Sequence, residues 1–328
     1  MQRSSDIPLT PLRNRLSRLT RGNEAALLLC FVVLVAFFSI ASDTFLTQRN
    51  LTNVLGQATF HLIAGVGLAM VVIAGEIDIS IGSLLGAVAI PLVSVMNATG
   101  SLEAGIAAAL VFALVIGAIN GYLVAYVGLN SLIVTLGSLF VIRGLIYVYT
   151  GQRPIPDEQM LESFYQIGNG RFFGVLPYPA IIGMIVAALF LYILRYRRFG
   201  RQVYAVGGNP EVARLAGFNV KRVKFASFLL CSVLTAVAGI LLASRLGSAV
   251  HVTGLSFEFQ VVAAIVLGGI SLAGGIGSIW GVALGVLILA FLSNGLGQLK
   301  LPTEWQLVIT GMIIIAAVAI DEARRRRR

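Results

Sequence analysis

The sequence predicts an all-α, polytopic membrane protein with about ten transmembrane helices. Of its 328 residues, 58% are hydrophobic and only 12% are charged, and the mean hydropathy is +0.92. One water-soluble core could not bury so much apolar surface. The apolar residues also fall into successive runs of about twenty, which is the length of a helix that crosses a bilayer.

Ten apolar runs of near-spanning length follow one another along the chain. They cover residues 25–42, 52–74, 80–97, 104–127, 131–150, 178–195, 224–244, 259–273, 276–295 and 304–320. An even number of spans places both termini on the same side of the membrane. The first run and its basic flank also resemble a signal peptide, but the run is long enough to span, which favours a retained helix.

Positive charge is distributed unevenly. The net charge is +10, and 24 Lys and Arg residues are present, of which five, eight and five lie in 3–21, 195–224 and 324–328. Basic clusters at the ends of spans remain on the cytoplasmic side of a membrane. All three clusters are therefore expected in the cytoplasm.

This orientation divides the chain into regions. We expect a basic cytoplasmic N-terminal segment at 1–24, a transmembrane region at 25–320 and a basic cytoplasmic tail at 321–328. Within the transmembrane region, the loop at 151–177 would be external and the loop at 196–223 cytoplasmic. Membrane lipid would surround the spans.

The triplet IGS occurs twice, at 81–83 and at 276–278, and each copy interrupts an apolar run. The first follows AGEIDIS and the second follows LGGISLAGG. A second echo pairs Asn120 with Asn294. These echoes predict a diverged internal repeat with broken helices, although chance matches also occur in sequence rich in Gly, Leu and Ile. Interrupted helices at corresponding places in two halves point to a translocation site between the halves.

Five polar residues are candidates for a substrate path: Asp78, Ser80, Asn120, Thr135 and Asn294. A charged side chain at membrane depth is a functional hypothesis by default. If residues around Asp78 form a cytoplasmic turn, this carboxylate could instead cap the helix that begins near Ser80, or contact a cytosolic partner. Ser, Thr and Asn within spans also serve commonly as hydrogen-bonding groups between helices.

The basic stretch 195–224 contains the sequence GGNPEVARLAG, which has the features of a short capped helix. Asn209 suits the N-cap, and Pro210 suits the first helical position. Glu211 complements the helix dipole, and Gly217 suits a left-handed C-cap. The sequence predicts a helix of about two turns displayed in water, which favours docking of a soluble partner over an ordinary connecting loop.

Several kinds of site are excluded. The only lysines, Lys221, Lys224 and Lys300, are not preceded by glycine, so the GxxxxGK[ST] phosphate-binding loop is absent. The two histidines and two cysteines have no metal-binding spacing, and Cys30 and Cys231 lie in apolar runs where packing is expected. We expect no catalytic residues, cofactor or metal. Nucleic-acid binding is not indicated, because no basic and aromatic patch belongs to a soluble domain.

Five longer stretches occur in a characteristic order over about residues 45–320. They are AGEIDISIGSLLGA (74–87), NGYLVAYVGLNSLIVTLGSLFVIRGL (120–145), RFGRQVYAVGGNPEVARLAGFNVKRVK (198–224), IVLGGISLAGGIGSIWG (265–281) and FLSNGL (291–296). Together they resemble the ribose, xylose, arabinose, galactose and autoinducer-2 type permeases of bacterial ABC importers. Glu76 departs from the pattern, since many of these sugar permeases carry glycine there.

The resemblance implies a multi-pass permease subunit of the bacterial inner membrane that imports a monosaccharide or sugar-like molecule by alternating access. Such permeases pair with a second copy or a sister permease. They receive substrate from a periplasmic sugar-binding protein and couple to a separate ATP-binding subunit. The resemblance places the coupling segment at Gly208–Gly217, with Asn209 as its N-cap and contacts to the ATPase from Pro210, Glu211, Arg214 and Leu215.

Two other functions stay open from the residues alone. A secondary transporter driven by protons or sodium would need carboxylates near the bilayer midplane, for which Glu76 and Asp78 are the candidates. A multispan membrane enzyme would need a convergent set of catalytic residues, which the sequence lacks.

A pentose, a hexose, a deoxysugar and a sugar-like signal are all compatible with the sequence as the transported molecule.

Overall fold

The computed structural model describes residues 10–302, 304–306, 308–309, 311–313 and 315, with side-chain environments from Glu24 onward. This part of the chain is predominantly helical. Its helices are α1 (Thr10–Ala41), α2 (Gln48–Ile73), α3 (Ile81–Ala87), α4 (Ala89–Thr99), α5 (Leu102–Tyr122), α6 (Ser131–Thr150), α7 (Glu162–Asn169), α8 (Tyr178–Tyr196), α9 (Arg198–Gly208), α10 (Pro210–Leu215), α11 (Val220–Leu246), α12 (Phe257–Leu267) and α13 (Ile279–Gln298). A π-helical turn, Leu123–Val127, follows α5, and two-residue strands occur at β1 (Ile155–Pro156), β2 (Arg171–Phe172), β3 (Leu176–Pro177) and β4 (Ser248–Ala249).

Eight segments of the described chain are long and apolar enough to cross a bilayer, which confirms the predicted class. They are Glu24–Ala41, Gln48–Ile73, Ile81–Thr99, Leu102–Val127, Ser131–Thr150, Tyr178–Tyr196, Val220–Leu246 and Ile279–Gln298. The expected count of about ten was approximate. Of the run predicted at 304–320, residues 304–306, 308–309, 311–313 and 315 are described. The basic cluster at 324–328 lies outside the described residues, whereas residues 10–21 of the cluster at 3–21 belong to α1.

The span predicted at 259–273 is a shorter element. Its helix, α12, has 11 residues and would rise only about 16 Å at 1.5 Å per residue, roughly half of a hydrocarbon core. Residues 268–278 then continue without a regular helix, with four glycines at positive φ: Gly269, Gly274, Gly275 and Gly277. The apolar pattern did not distinguish this half-length helix from a full span.

The span predicted at 80–97 is also interrupted, because α3 and α4 meet at Val88. The amide of Val88 still bonds to the carbonyl of Leu84 at 3.0 Å, and the next bond of the ladder joins Leu92 to Val88 at 3.3 Å. Between them lies Pro91, which has no N–H to donate. A proline near the start of α4 thus accounts for the break.

The helix bundle has two distinct ends. Helix α8 joins residues 151–177 to residues 196–223 and is 19 residues long, so the two connections lie about 28 Å apart along its axis. We call the end with residues 196–223 the basic end and the end with residues 151–177 the distal end. The distal connection is folded: β1 pairs with β4, β2 pairs with β3, and Phe164 of α7 is fully buried.

Helices α2 and α11 form the centre of the bundle, and small residues let them pack closely. A Cβ on Gly67 of α2 would lie 3.0 Å from the Cα of Cys231 in α11. A Cβ on Gly117 of α5 would overlap the hydroxyl of Ser232. Close approach at small residues is the usual way in which helices associate inside membranes. Cys231 is buried in this contact, as expected for a packing residue, whereas Cys30 is exposed.

Candidate functional site

The short helix expected within the basic stretch is present as α10. The Asn209 side chain accepts hydrogen bonds from the amides of Glu211 at 3.0 Å and Val212 at 3.1 Å, and Pro210 occupies the first turn. After the helix, Gly217 has φ of 81°, in the left-handed region. The helix therefore forms from local capping interactions, which are readable from sequence because all their partners are neighbours.

Helix α10 presents both charged and apolar groups to solvent. Arg214 forms an ion pair with Glu211, and each of these side chains is 69% exposed. Leu215 is 85% exposed and Val212 is 59% exposed, whereas Ala213 is buried. Exposed apolar side chains do not stabilise the isolated protein. Their position beside an exposed ion pair therefore suits a small surface that binds a partner.

A second helix, α9, was not foreseen. It precedes α10 and is amphipathic, burying Val203 and Val206. The Tyr204 hydroxyl donates a hydrogen bond to the Gly277 carbonyl at 2.8 Å, and burial raises the pKa of Tyr204 to about 12. This phenol therefore remains protonated, and a donor, throughout the physiological pH range. Helix α9 fixes α10 to the bundle.

Three backbone segments meet where α9 ends. The amide of Gly275 donates to the carbonyl of Ile73 at 2.8 Å. A Cβ on Gly207 would overlap that same Ile73 carbonyl, and a Cβ on Gly274 would lie 2.9 Å from the Cα of Gly75. We call this contact between residues 73–75, 207–208 and 274–275 the glycine junction. It joins the two interrupted regions to the helix pair α9–α10.

An ion pair adds a second connection at the basic end. Lys224, near the start of α11, bonds to Glu76, and their side chains are 21% and 14% exposed. Glu76 is the residue that departs from the resemblance, and its partner lies 148 positions away, so no local pattern could have paired them. The loop before α3 is thereby tied to the helix that follows α10.

The same loop continues into a buried polar network. Asp78 is 1% exposed, and its Oδ1 accepts hydrogen bonds from the Ser80 amide at 2.9 Å and the Ser80 hydroxyl at 2.6 Å. Asn120 Nδ2 donates to Ser80 Oγ at 3.1 Å, and Ser138 Oγ donates to Asn120 Oδ1 at 2.5 Å. Thr135 Oγ1 donates to the Ser131 carbonyl at 2.8 Å, and the Ile77 carbonyl lies 3.4 Å from the same hydroxyl.

Four of the five predicted path residues therefore lie together, and the fifth does not. Asn294 is near the distal end of α13, where its side chain exchanges two hydrogen bonds with Asn50, at 2.8 and 2.9 Å. Asn120 lies near the basic end of α5. The sequence echo between the two asparagines thus pairs residues at opposite ends of the bundle, because α5 and α13 run in opposite directions. The path roles themselves stay predictions.

Sequence reasoning also missed charged groups near the middle of the bundle. Arg143 and Glu258 are both buried, at 8% and 6% exposure. Neither residue is among the five path candidates selected from the sequence. The available signal was their charge, because an ionisable residue inside a spanning region is costly and marks a site by default.

Comparison with known proteins places these features in a family. A family model described as "Branched-chain amino acid transport system / permease component" matches residues 50–318. The chain belongs to this family of transport permeases. It is a permease component and not an enzyme, and the resemblance noted from the sequence is confirmed.

Named relatives match nearly the whole chain. The ribose import permease protein RbsC of Escherichia coli K12 is 37% identical over 304 residues, covering 92% of this chain and 94% of the relative. The L-arabinose ABC transporter permease protein AraH of Azospirillum brasilense is 35% identical over 325 residues, covering 99% and 95%. The xylose transport system permease protein XylH of Haemophilus influenzae is 32% identical over 364 residues, covering 92% and 96%.

Proposed function

We propose that this permease is the membrane subunit of an ABC importer that carries a monosaccharide or sugar-like molecule inward. Relatives named for ribose, arabinose and xylose support a small sugar as the substrate class. In this proposal a periplasmic binding protein delivers the sugar, and ATP hydrolysis in a separate subunit drives its movement. The permease pairs in the inner membrane with a second copy or a sister permease, and both termini are cytoplasmic.

The main support for the proposed coupling mechanism is the glycine junction. Helix α10 displays Glu211, Arg214 and Leu215 to solvent, where a groove of the ATPase can take them. Its neighbour α9 ends backbone to backbone against residues 73–75 and 274–275, with no side chains between them to absorb a displacement. A movement of α9–α10 is therefore passed directly to the C-terminal end of α2 and to the segment that leads into α13.

The polar network supplies the second part of the mechanism. Asp78, Ser80 and Asn120 lie beside the junction, and the Glu76–Lys224 ion pair connects them to α11. A shift of the loop before α3 would break or reform these hydrogen bonds. The network is thus suited to open and close the cytoplasmic side of the substrate path, because its hydroxyl, amide and carboxylate groups can bond to a sugar that leaves.

The test is reconstitution of the permease in liposomes with the ATP-binding subunit and the sugar-binding protein of its import system. Uptake of radiolabelled D-ribose, L-arabinose and D-xylose is measured with and without internal ATP. We expect uptake of at least one sugar that stops when ATP is removed, even with an imposed proton gradient. Uptake that follows the proton gradient without ATP would overturn the proposal in favour of secondary transport.

The coupling segment is tested with a double variant, Glu211→Ala with Arg214→Ala. We expect membrane insertion to be unchanged and ATP hydrolysis to become uncoupled from uptake. The matched control is Glu162→Ala with Gln166→Ala, which removes an exposed side-chain pair, 2.8 Å apart, from the short helix α7 at the distal end. Normal coupling in the first variant would show that α10 is not the docking helix.

A further inference from the structure

Helix α12 begins in the middle of the bundle. His61 lies about half-way along α2, roughly 20 Å from its start at 1.5 Å per residue. The His61 Nε2 lies 2.8 Å from Gln260 Oε1, and the His61 and Phe257 rings are 4.7 Å apart. The chain between β4, at the distal end, and α12 therefore re-enters the bundle, and the N-terminus of an 11-residue helix points into its centre.

A buried arginine holds this re-entrant segment. Arg143 of α6 donates from Nη1 to the carbonyl oxygens of Thr253 at 2.8 Å and His251 at 3.3 Å. Backbone carbonyls without helical partners are tolerated at membrane depth only where protein or water satisfies them. Arg143 satisfies two of them and places a positive charge beside the start of α12.

Two other polar atoms of the segment have no hydrogen-bond partner among the described residues. Oε2 of Glu258 and Nδ1 of His251 are both buried without a hydrogen bond to any described protein group. Glu258 is only 6% exposed, and its carboxylate lies over Gly82 of α3, where a Cβ would overlap Oε2. Gly254 makes a similarly close backbone contact with Gly82. The acid is thus enclosed between α3 and α12 in this conformation.

The burial of the Glu258 carboxylate lowers the stability of the folded protein. Burying a carboxylate oxygen without a hydrogen bond is unfavourable, and an apolar residue of similar size would pack there without that cost. Both polar and apolar side chains are exposed on the same segment: Ser256 and Gln260, and also Leu255 and Phe259. Exposed polar groups in the middle of a spanning bundle face a hydrated path or a partner subunit.

We propose that Glu258 and His251 form a hydroxyl-binding contact half-way along the substrate path. This inference rests on the proposed sugar import and adds to it a binding site remote from the network at Asp78. The carboxylate accepts from a sugar hydroxyl, and the imidazole Nδ1 bonds to a neighbouring one. The nearby Arg143 guanidinium disfavours a cation as the ligand. The contact is closed here, and it opens when residues 253–258 separate from α3 during the transport cycle.

The first test uses the reconstituted transporter and the sugar, among D-ribose, L-arabinose and D-xylose, that the wild type imports. Glu258→Gln keeps the size of the side chain and removes its charge. We expect sugar imported per ATP hydrolysed to fall by about tenfold, as for loss of a charged hydrogen bond. The matched control is Glu103→Gln, an acidic residue in the first turn of α5 that is exposed at the distal end.

A second measurement does not depend on how well a Glu258 variant assembles. Ser256→Cys, in a background that lacks Cys30 and Cys231, is treated with a water-soluble maleimide during ATP turnover. We expect labelling to increase with ATP and to decrease when the transported sugar is present at saturation. A Ser256→Cys that sugar does not protect, or a Glu258→Gln transporter with normal uptake per ATP, would overturn the contact while leaving sugar import intact. Absence of ATP-dependent sugar uptake by the wild type would overturn both.

Discussion

Lys224 near the start of α11 is paired with Glu76 in the loop before α3, and both side chains are largely buried. The pair spans 148 positions of sequence and lies beside the glycine junction. Its position means that the helix after the coupling segment and the loop before the polar network cannot move independently without separating two charges. Separation of a largely buried pair leaves each charge without compensation.

Replacing one member of this pair is expected to destabilise the permease more than replacing both. Glu76→Gln leaves the Lys224 ammonium unpaired, and Lys224→Met leaves the Glu76 carboxylate unpaired. The double variant leaves no unpaired charge. We expect an interaction free energy of about 1–3 kcal/mol, measured as a double-mutant cycle on the free energy of unfolding of the purified protein. Additive effects of the two single changes would show that the pair does not stabilise the basic end.

The glycine junction predicts different effects for two adjacent glycines. Gly207→Ala places a Cβ against the Ile73 carbonyl, whereas a Cβ on Gly208 would meet no atom of the described residues within 4 Å. We expect Gly207→Ala to cost about 1–3 kcal/mol through overpacking and to lower the coupling of ATP hydrolysis to uptake. Gly208→Ala should behave as the wild type in both assays. Equal effects of the two changes would argue against a close backbone contact here.

Asp78 is expected to act mainly through its two hydrogen bonds to Ser80. Asp78→Asn keeps an acceptor oxygen in place, so this variant should assemble and transport normally. Asp78→Ala removes the acceptor from the buried Ser80 hydroxyl and amide, at a cost of about 1–3 kcal/mol, and should lower transport, as should Asn120→Ala. Transport is measured as ATP-driven sugar uptake, and assembly as co-purification with the ATPase subunit.

The contrast between the two Asp78 variants separates the interpretations left open by the sequence. Loss of transport in Asp78→Asn, with normal assembly, would mean that the negative charge itself is used in the path. Loss of co-purification in Asp78→Ala would instead place this residue at the surface that meets the ATPase.

The sequence predicted those features whose causes are local. Helix α10 was predictable because Asn209, Pro210 and Gly217 act on residues within a few positions of themselves. The spanning helices followed from apolar runs of the right length. The half-length α12 did not, because its start is fixed by Arg143, more than a hundred positions earlier in the chain. The same apolar composition suits a full span and a re-entrant helix.

The candidate site shows the same division. Asp78, Ser80 and Asn120 were selected as polar residues within apolar sequence, and they lie in one network. Asn294 was selected because its sequence context echoes that of Asn120, and it lies at the other end of the bundle. Similar sequence context indicates possible common descent, whereas proximity depends on the direction in which each helix runs.

Leu215 provides the most direct test of docking at α10. It is 85% exposed, and Met160 at the distal end is 86% exposed, so an aspartate at either position places a charge in solvent with little effect on folding. If α10 enters a groove of the ATPase, Leu215→Asp must place a carboxylate in an apolar contact, which removes burial of a leucine, worth about 1.5–3 kcal/mol, and adds a desolvation cost. We therefore expect at least about tenfold weaker binding of the ATPase subunit, measured by titration in detergent, with Met160→Asp binding as the wild type. Wild-type affinity in Leu215→Asp would mean that the exposed leucine lies outside the interface, whereas weakened binding in both variants would point to a general defect of the permease.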